Sequence, residues 1–416
     1  MLTRIRVQGF KSLVDVDVQL QPLTVLCGPN AAGKSNFLDA LQLLSRLATR
    51  NTVREAFEPP YRGAPLESFT LGPHGIRGLV EQESASLSLS IDVTLSSATV
   101  QEMNRSQDAF FSRIIKGKQS AASVRDWEVY QSEFAYKDGD IVHYEVSLKA
   151  VPRQGLVRIV RESISRSGMS MEVGAKSGTG SGPDKREYWL YPDFQALQRE
   201  LSGWSFFYLE PRERMRTVSP VRETRHVGMM GEHIALFLNT LKAIDPAQFK
   251  AIERSLRTLI PSFTGIDVGV NDRGEVDLHI VEDGTPIPAS LLSEGTLRLL
   301  GLLALGGAQE SPTLIGLEEP ENGVHPRRIQ LIAELLRSYV DAGNTQMIVT
   351  THSPILLDVF PRESLYVCRK RAGATTITPL DALDSLGLDT SLAAVLDGAE
   401  DALTVSERVL RGDFDA

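Results

Sequence analysis

The chain has 416 residues, of which 42% are hydrophobic and 23% charged, with a formal net charge of -9. It is long enough for two domains, and its acidic balance excludes a chain-wide basic field that would gather nucleic acid. Its two cysteines, Cys27 and Cys368, fit neither a disulfide framework nor a metal spacing, and no run approaches the roughly 18 apolar residues of a membrane span, so a reducing, cytoplasmic setting without signal peptide or membrane contact is expected.

The first 27 residues read as strands. TRIRVQGF is followed by VDVDVQL, in which Val14, Val16, Val18 and Leu20 alternate with polar residues as in a half-buried strand. TVLC (24–27) is short and apolar, then a glycine-rich turn leads to NFLDALQLLSRLA, with Phe37, Leu38, Leu41, Leu44 and Leu47 at helical spacing. Residues 50–85 are irregular and rich in Pro and Gly, whereas SLSLSIDVTL (86–95) alternates as a strand. EFAYKDGDIVHYEVSLKAV (133–151) reads as a hairpin turning at Asp138-Gly139, and LVRIVRESI as a further strand. GAKSGTGSGPDKRE (174–187) lacks apolar anchors and reads as a mobile loop. WSFFYL restarts a core-like strand, followed by amphipathic helices at HIALFLNTL and QFKAIERSLRTLI and a strand at VDLHIVEDG. In the last third SLLSEGTLRLLGLLALGG (turn, helix), TLIGL (strand), RRIQLIAELLRSYV (helix) and TQMIVTTHS (strand) alternate as in a parallel α/β sheet.

Gly28-Pro-Asn-Ala-Ala-Gly33-Lys34-Ser35 matches the phosphate-loop pattern, with an apolar strand before it and an amphipathic helix after it. Such a loop turns backbone N–H groups and a helix N-terminus toward phosphate. Lys34 would reach the β- and γ-phosphates and Ser35 would ligate Mg²⁺, with Asn30, Gly33 and Asn36 as further nucleotide contacts. The strand TLIGL ends on adjacent acids, Glu318 and Glu319, which repel each other unless positive charge comes near. A phosphate-loop protein supplies it: Glu318 would hold Mg²⁺ through water, and Glu319 would orient or deprotonate the attacking water. Ser293 and Gly295, in Leu292-Ser293-Glu294-Gly295-Thr296, read by themselves as an ordinary helix cap. His352 follows the strand QMIV in a strand-end loop, where a lone histidine is more often structural.

Taken together, GFKSL, GPNAAGKSN, LSEGT, EEPENGVHP and TTHSPILL resemble the RecF/SMC/OLD-like branch of the ABC ATPases, in particular stand-alone ATPases of prokaryotic defence and repair loci. The resemblance covers 1–50 and 285–360 directly. It implies an α/β P-loop NTPase fold with a mixed sheet and N-terminal antiparallel strands; the strand-like patterns of 96–205 read as a β-rich insertion, and the lack of long heptad runs departs from the family in predicting no SMC-type coiled coil. It further implies that Ser293 and Gly295 cap the γ-phosphate held by the other subunit of a homodimer, that His352 contacts the γ-phosphate, and that Glu321-Asn322-Gly323 forms a loop facing the opposite subunit. The expected division is 1–95 for the N-terminal half of the ATPase head, 96–205 for the insertion, 206–379 for the C-terminal half and 380–416 for a helical tail.

The resemblance has departures. Glu318 stands where most ABC proteins have Asp, and the stretch after His352 is too short for the C-terminal Toprim nuclease of full-length OLD proteins. Gln82 and Gln131 are both weak candidates for the glutamine that the family places between P-loop and signature. The implied activity is ATP hydrolysis with ATP-gated dimerisation, either regulating an effector such as a nuclease or toxin encoded nearby in prokaryotic defence or acting in DNA maintenance. The rival is a RecF-like clamp in which ATP gates DNA binding, for which the arginines of PRERMRTVSPVRETR (211–225) are the candidate patch, although a solvated, partly salt-bridged loop is the simpler reading. A phosphotransferase would need a lid and an acceptor pocket in place of LSEGT and His352.

Overall fold

The structure, a computed structural model, describes residues 1–116, 135–174, 191–307, 311–343 and 345–385. Alternation opens the chain as β1 (Leu2–Phe10) and β2 (Leu13–Gln19), paired antiparallel with Val7 opposite Val16. Within β2 the buried set is Leu13, Val16 and Val18, while Val14 is exposed, contrary to the simple alternation. Lys11 at φ 46 turns the hairpin, and the register is unbroken from Arg4 opposite Gln19 to Phe10 opposite Leu13, so Leu13 and Val16 are buried on opposite faces of the ribbon.

β3 (Leu23–Cys27) is buried throughout and leads through the glycine loop into the helix Lys34–Thr49, whose Phe37, Leu38, Leu41, Leu44 and Leu47 are all buried. Next come β4 (Ala85–Thr94), the helix Ser97–Lys116, β5 (Ile141–Val151), β6 (Leu156–Arg166) and β7 (Met169–Gly174). β8 (Trp204–Phe207) and the short β9 (Ser219–Pro220) precede the helices Ile234–Ile244 and Pro246–Leu259, followed by β10 (Phe263–Val270), β11 (Glu275–Glu282) and β12 (Thr285–Pro288). The helix Glu294–Leu303, β13 (Leu314–Glu318), the helix Ile329–Asp341, β14 (Gln346–Thr350), β15 (Leu365–Arg371) and β16 (Ala374–Pro379) complete the order. The longest helix among the described residues is Ser97–Lys116, at 20 residues.

The chain divides into two compact units. One comprises Met1–Leu20 and Asp39–Gly203 and holds a six-stranded antiparallel sheet in the order β2-β1-β4-β5-β6-β7. The boundary expected at 95/96 therefore falls inside a sheet. β4 on one side of it and β5 on the other are hydrogen-bonded neighbours, Leu89 opposite Val146. The strands of the expected insertion extend the N-terminal sheet because their apolar faces continue its buried face: Val142, Tyr144, Val146 and Leu148 lie beside Leu87, Leu89, Ile91 and Val93. The hairpin expected at Asp138-Gly139 does not form, since residues 135–137 carry no strand. β5 turns into β6 instead, through Pro152–Gln154 and Gly155 at φ 65. The glycine-rich 174–187 stretch lies almost wholly outside the described residues, as does the tail beyond residue 385.

The other unit comprises Gln21–Leu38 and the chain from Trp204 onward. Its main sheet runs β16-β15-β3-β14-β13-β8, parallel except for β16. β3, β13 and β14 are each buried at every position, as continuous apolar runs in a parallel sheet should be. Gly316 interrupts β13 for a packing reason: a Cβ there would lie 2.5 Å from the Phe206 ring and 3.2 Å from the Leu38 side chain. A smaller sheet, β10-β11-β12 with β9 beside β11, is covered by the two helices Ile234–Ile244 and Pro246–Leu259. These are separated by Asp245, whose carboxylate accepts from Gln248 N–H at 2.9 Å, with Pro246 beginning the second helix. Both cysteines are buried and free, and burial pushes the Cys27 thiol up to about 12, which leaves it protonated and unreactive.

Candidate functional site

Three chain segments leave the C-terminal ends of adjacent parallel strands, where open α/β sheets hold their ligands. The glycine loop follows β3, the loop with His352 follows β14, and the acidic pair closes β13, with β14 in the middle. The register aligns them: Glu318 lies opposite Thr350, and Thr350 opposite Leu26.

The glycine loop needs its glycines. Gly28 sits at φ 142, and a Cβ there would lie 2.2 Å from the Cys368 carbonyl oxygen. Gly28→Ala is therefore expected to destabilise the chain by about 1–3 kcal/mol from backbone strain alone, read as a fall in Tm. An unchanged Tm would show that the loop relaxes freely. Ala31 at φ 63 and Gly33 at φ 104 complete the turn, with Asn30 exposed at its tip and Asn36 half-buried in the first helical turn. Lys34 is buried, and its Nζ donates to the carbonyls of Gly28 at 2.7 Å and Pro29 at 3.0 Å. The cation is thus parked on the loop and must exchange these contacts to reach a phosphate.

The Ser35 hydroxyl donates to Glu318 Oε2 at 3.3 Å, bringing together two residues that are 283 positions apart in the chain. Glu318, only 7% exposed, is the last residue of β13, whereas Glu319 leaves the strand at φ 44. The two adjacent carboxylates take different partners, Glu318 meeting Ser35 and Glu319 meeting His352 and Asn322. The left-handed backbone costs on the order of 1 kcal/mol in a non-glycine residue. The backbone is held there from both sides: Glu319 N–H donates to Thr350 O at 2.9 Å, and its carbonyl accepts from Asn322 N–H at 3.2 Å and from Arg298 at 3.4 Å. Its carboxylate meets His352 Nδ1 at 3.3 Å on one oxygen and accepts from the Asn322 amide on the other.

Glu321 is buried and ties the acidic segment to the histidine loop, its Oε1 accepting from Thr351 Oγ1 at 2.6 Å and from His352 N–H at 3.3 Å. Ser293 caps the helix Glu294–Leu303, its Oγ accepting from Thr296 N–H at 3.1 Å. Gly295 has an additional, intrachain reason to be glycine: a Cβ there would sit 2.9 Å from the Gly323 carbonyl. The arginines of 211–225 are engaged. Arg212 pairs with Glu294, Arg216 donates to Leu292 O at 2.8 Å, Arg214 lies 3.9 Å from Glu210, Arg222 meets His233 at 3.0 Å, and Arg225 meets Glu223 at 2.6 Å. Gln82 is exposed at the end of the helix Gly75–Glu81 in the other unit, and Gln131 lies outside the described residues.

Among the described residues no three His, Cys, Asp or Glu side chains form a metal cage. One hydroxyl and one carboxylate are nevertheless what a phosphate-bound Mg²⁺ asks of a protein, the other ligands being phosphate oxygens and water. The Ser35–Glu318 pair fits that ion. Sequence reasoning missed Arg298, though a signal was there: a lone charge inside the apolar run TLRLLGLL.

The fold and these loops define a P-loop protein of the ABC-type ATPase class. Residues 1–143 match a family profile described as "AAA ATPase domain", and residues 201–358 match one described as "AAA domain, putative AbiEii toxin, Type IV TA system". An OLD nuclease of Thermus scotoductus is 23% identical over 380 residues, which is 89% of this chain and 62% of that protein, so the chain spans under two thirds of this relative. A crystallised SMC head bound to the C-winged helix domain of ScpA shares the fold, with a TM-score of 0.51 and 11% identity over 91% of this chain and 97% of that one. These matches support an ABC-type ATPase of the RecF/SMC/OLD-like branch as what the chain is similar to. Among the described residues no helix is long and apolar enough to cross a membrane.

Proposed function

We propose that the chain binds MgATP on its glycine loop, closes over it with the signature loop of a second copy, and hydrolyses it. The observation that carries this reading is the Ser35–Glu318 contact beside the Glu319–His352 pair, all at the ends of adjacent strands. Lys34 leaves the Gly28 and Pro29 carbonyls to hold the β- and γ-phosphates. Ser35 directly, and Glu318 through water, would hold Mg²⁺, which supplies positive charge where phosphoryl transfer develops negative charge. Glu319 accepts a proton from water lined up behind the γ-phosphorus. His352, steadied through Nδ1 by that same carboxylate, presents its other ring nitrogen to the γ-phosphate.

In this reading Ser293 and Gly295, at a helix N-terminus, cap the γ-phosphate of the partner copy, so pairing of copies is gated by ATP. Their match to the family signature supports that part. The output is control of a separate effector in prokaryotic defence or DNA maintenance, and the relative named a nuclease supports a nuclease as the effector's class. The expected result is phosphate release from MgATP and a doubling of mass with a slowly hydrolysed ATP analogue on a calibrated sizing column. Turnover without any change in mass would remove the sandwich, and absence of turnover would remove the enzyme.

A further inference from the structure

Arg298 lies just over one turn into the helix that Ser293 caps, and it is only 8% exposed. Its guanidinium donates from Nη2 to Leu209 O at 3.0 Å and from Nη1 to Glu319 O at 3.4 Å, while its Nε has no hydrogen-bond partner. Buried Glu321 likewise has an unpartnered oxygen, Oε2. Burial pushes the Arg298 guanidinium below its ordinary value, and Glu321 is first among the charged groups that oppose the shift. A buried arginine holding two carbonyls, with its counter-charge not directly bonded, is a poor device for stability alone. Its position is informative. It joins the signature helix to the carbonyl of the residue whose left-handed backbone aims the catalytic carboxylate. A second contact runs the same way, since Gly295 approaches the Gly323 carbonyl so closely that a Cβ would sit 2.9 Å from it.

The geometry points to Arg298 as a positioning residue that couples the signature helix to Glu319 within one subunit, so that a nucleotide met by the signature loop at one site sets the water-activating carboxylate at the other. This rests on the reading that the signature loop faces nucleotide held by a second copy. When the helix shifts on meeting a γ-phosphate, the guanidinium moves with it, and the Glu319 peptide, which it shares with Asn322 N–H, reorients. Glu321, bonded to Thr351 and to the His352 amide, carries the same movement to the histidine.

The test measures phosphate release against ATP concentration for the full chain and for Arg298→Met, Glu321→Gln and the double variant, with the affinity of a fluorescent ATP analogue measured in parallel. The expected result is cooperative turnover in the wild type. In Arg298→Met, kcat should fall about 10–100-fold with the Hill coefficient near 1 and analogue affinity within about twofold. The double variant should be no worse than the poorer single one, as for two members of one linkage. A residue that merely supported the fold would lower Tm without removing cooperativity. A wild-type Hill coefficient of 1, or an Arg298→Met chain with wild-type kcat and cooperativity, overturns the coupling and leaves the ATPase reading standing. A wild type that releases no phosphate overturns both. If Arg298→Met does not fold, Glu321→Gln decides, because its amide oxygen still accepts from Thr351 and His352. Loss of cooperativity there supports the coupling, and unchanged kinetics overturn it.

Discussion

Glu319→Gln is expected to lower ATP turnover by about 10²–10⁴-fold while leaving nucleotide binding in place. The reasoning is geometric. A glutamine side chain has the same shape, its oxygen can still accept from the Asn322 amide, and its NH₂ can face His352 Nδ1. The backbone at φ 44, held by Thr350 O and Arg298, makes no demand on the charge of the side chain. What disappears is the capacity to take a proton from water. In the proposed sandwich the variant therefore stops with ATP bound, and it should run as a dimer with ATP on a sizing column and as a monomer with ADP. Near wild-type turnover in this variant would sink the assignment of the base and shift attention to Glu318 or to His352.

Lys34→Ala is expected to fail one step earlier. In the free protein the Lys34 cation satisfies two carbonyls of its own loop, which water can replace once the side chain is truncated, so Tm without nucleotide should change little. With nucleotide the two proteins should part. A ligand at a hundredfold excess over its Kd stabilises the folded state by about 2.7 kcal/mol, and most of that should vanish when the phosphate-binding cation is gone. The measurement is the ATP-dependent rise in Tm, several degrees in the wild type and near zero in the variant. A variant that keeps the full rise would show that phosphate is gripped by the loop amides without Lys34. The two substitutions are expected to separate the roles of one site: Glu319→Gln should bind without turning over, and Lys34→Ala should not bind.

Much of the parallel sheet and of the helix after the glycine loop was legible in the sequence. TLIGL, QMIV and TVLC are short apolar runs closed by turn signals, and burial on both faces of a parallel sheet leaves such runs little alternative to being strands. The helix after the glycine loop was equally plain, because its leucines recur at helical spacing and all are buried. The N-terminal part was harder. A local pattern shows that 86–95 and 141–151 are strands but not that they are neighbours. The hairpin read at Asp138-Gly139 failed because a turn signal does not say whether the residues before it have a sheet to join. Val14 went to solvent although it lies on the same face as buried Val16 and Val18, because alternation does not say where along a strand its cover ends.

The sequence by itself carried the resemblance. The glycine loop, the adjacent acids closing an apolar strand, the signature-like helix start and the strand-end histidine are each local, and their order along the chain is what resembles the RecF/SMC/OLD-like ATPases. Tertiary structure decided everything that depends on contact across the chain. It brought Ser35 against Glu318 from 283 residues away and turned Glu319 out of its strand onto His352 and Asn322. It also gave Arg298, a lone charge among leucines, two carbonyls to hold. The physical reason is reach. Backbone preference and hydrophobic period act over a few residues, whereas the register of parallel strands, which sets these distances, is fixed only when distant segments pack together.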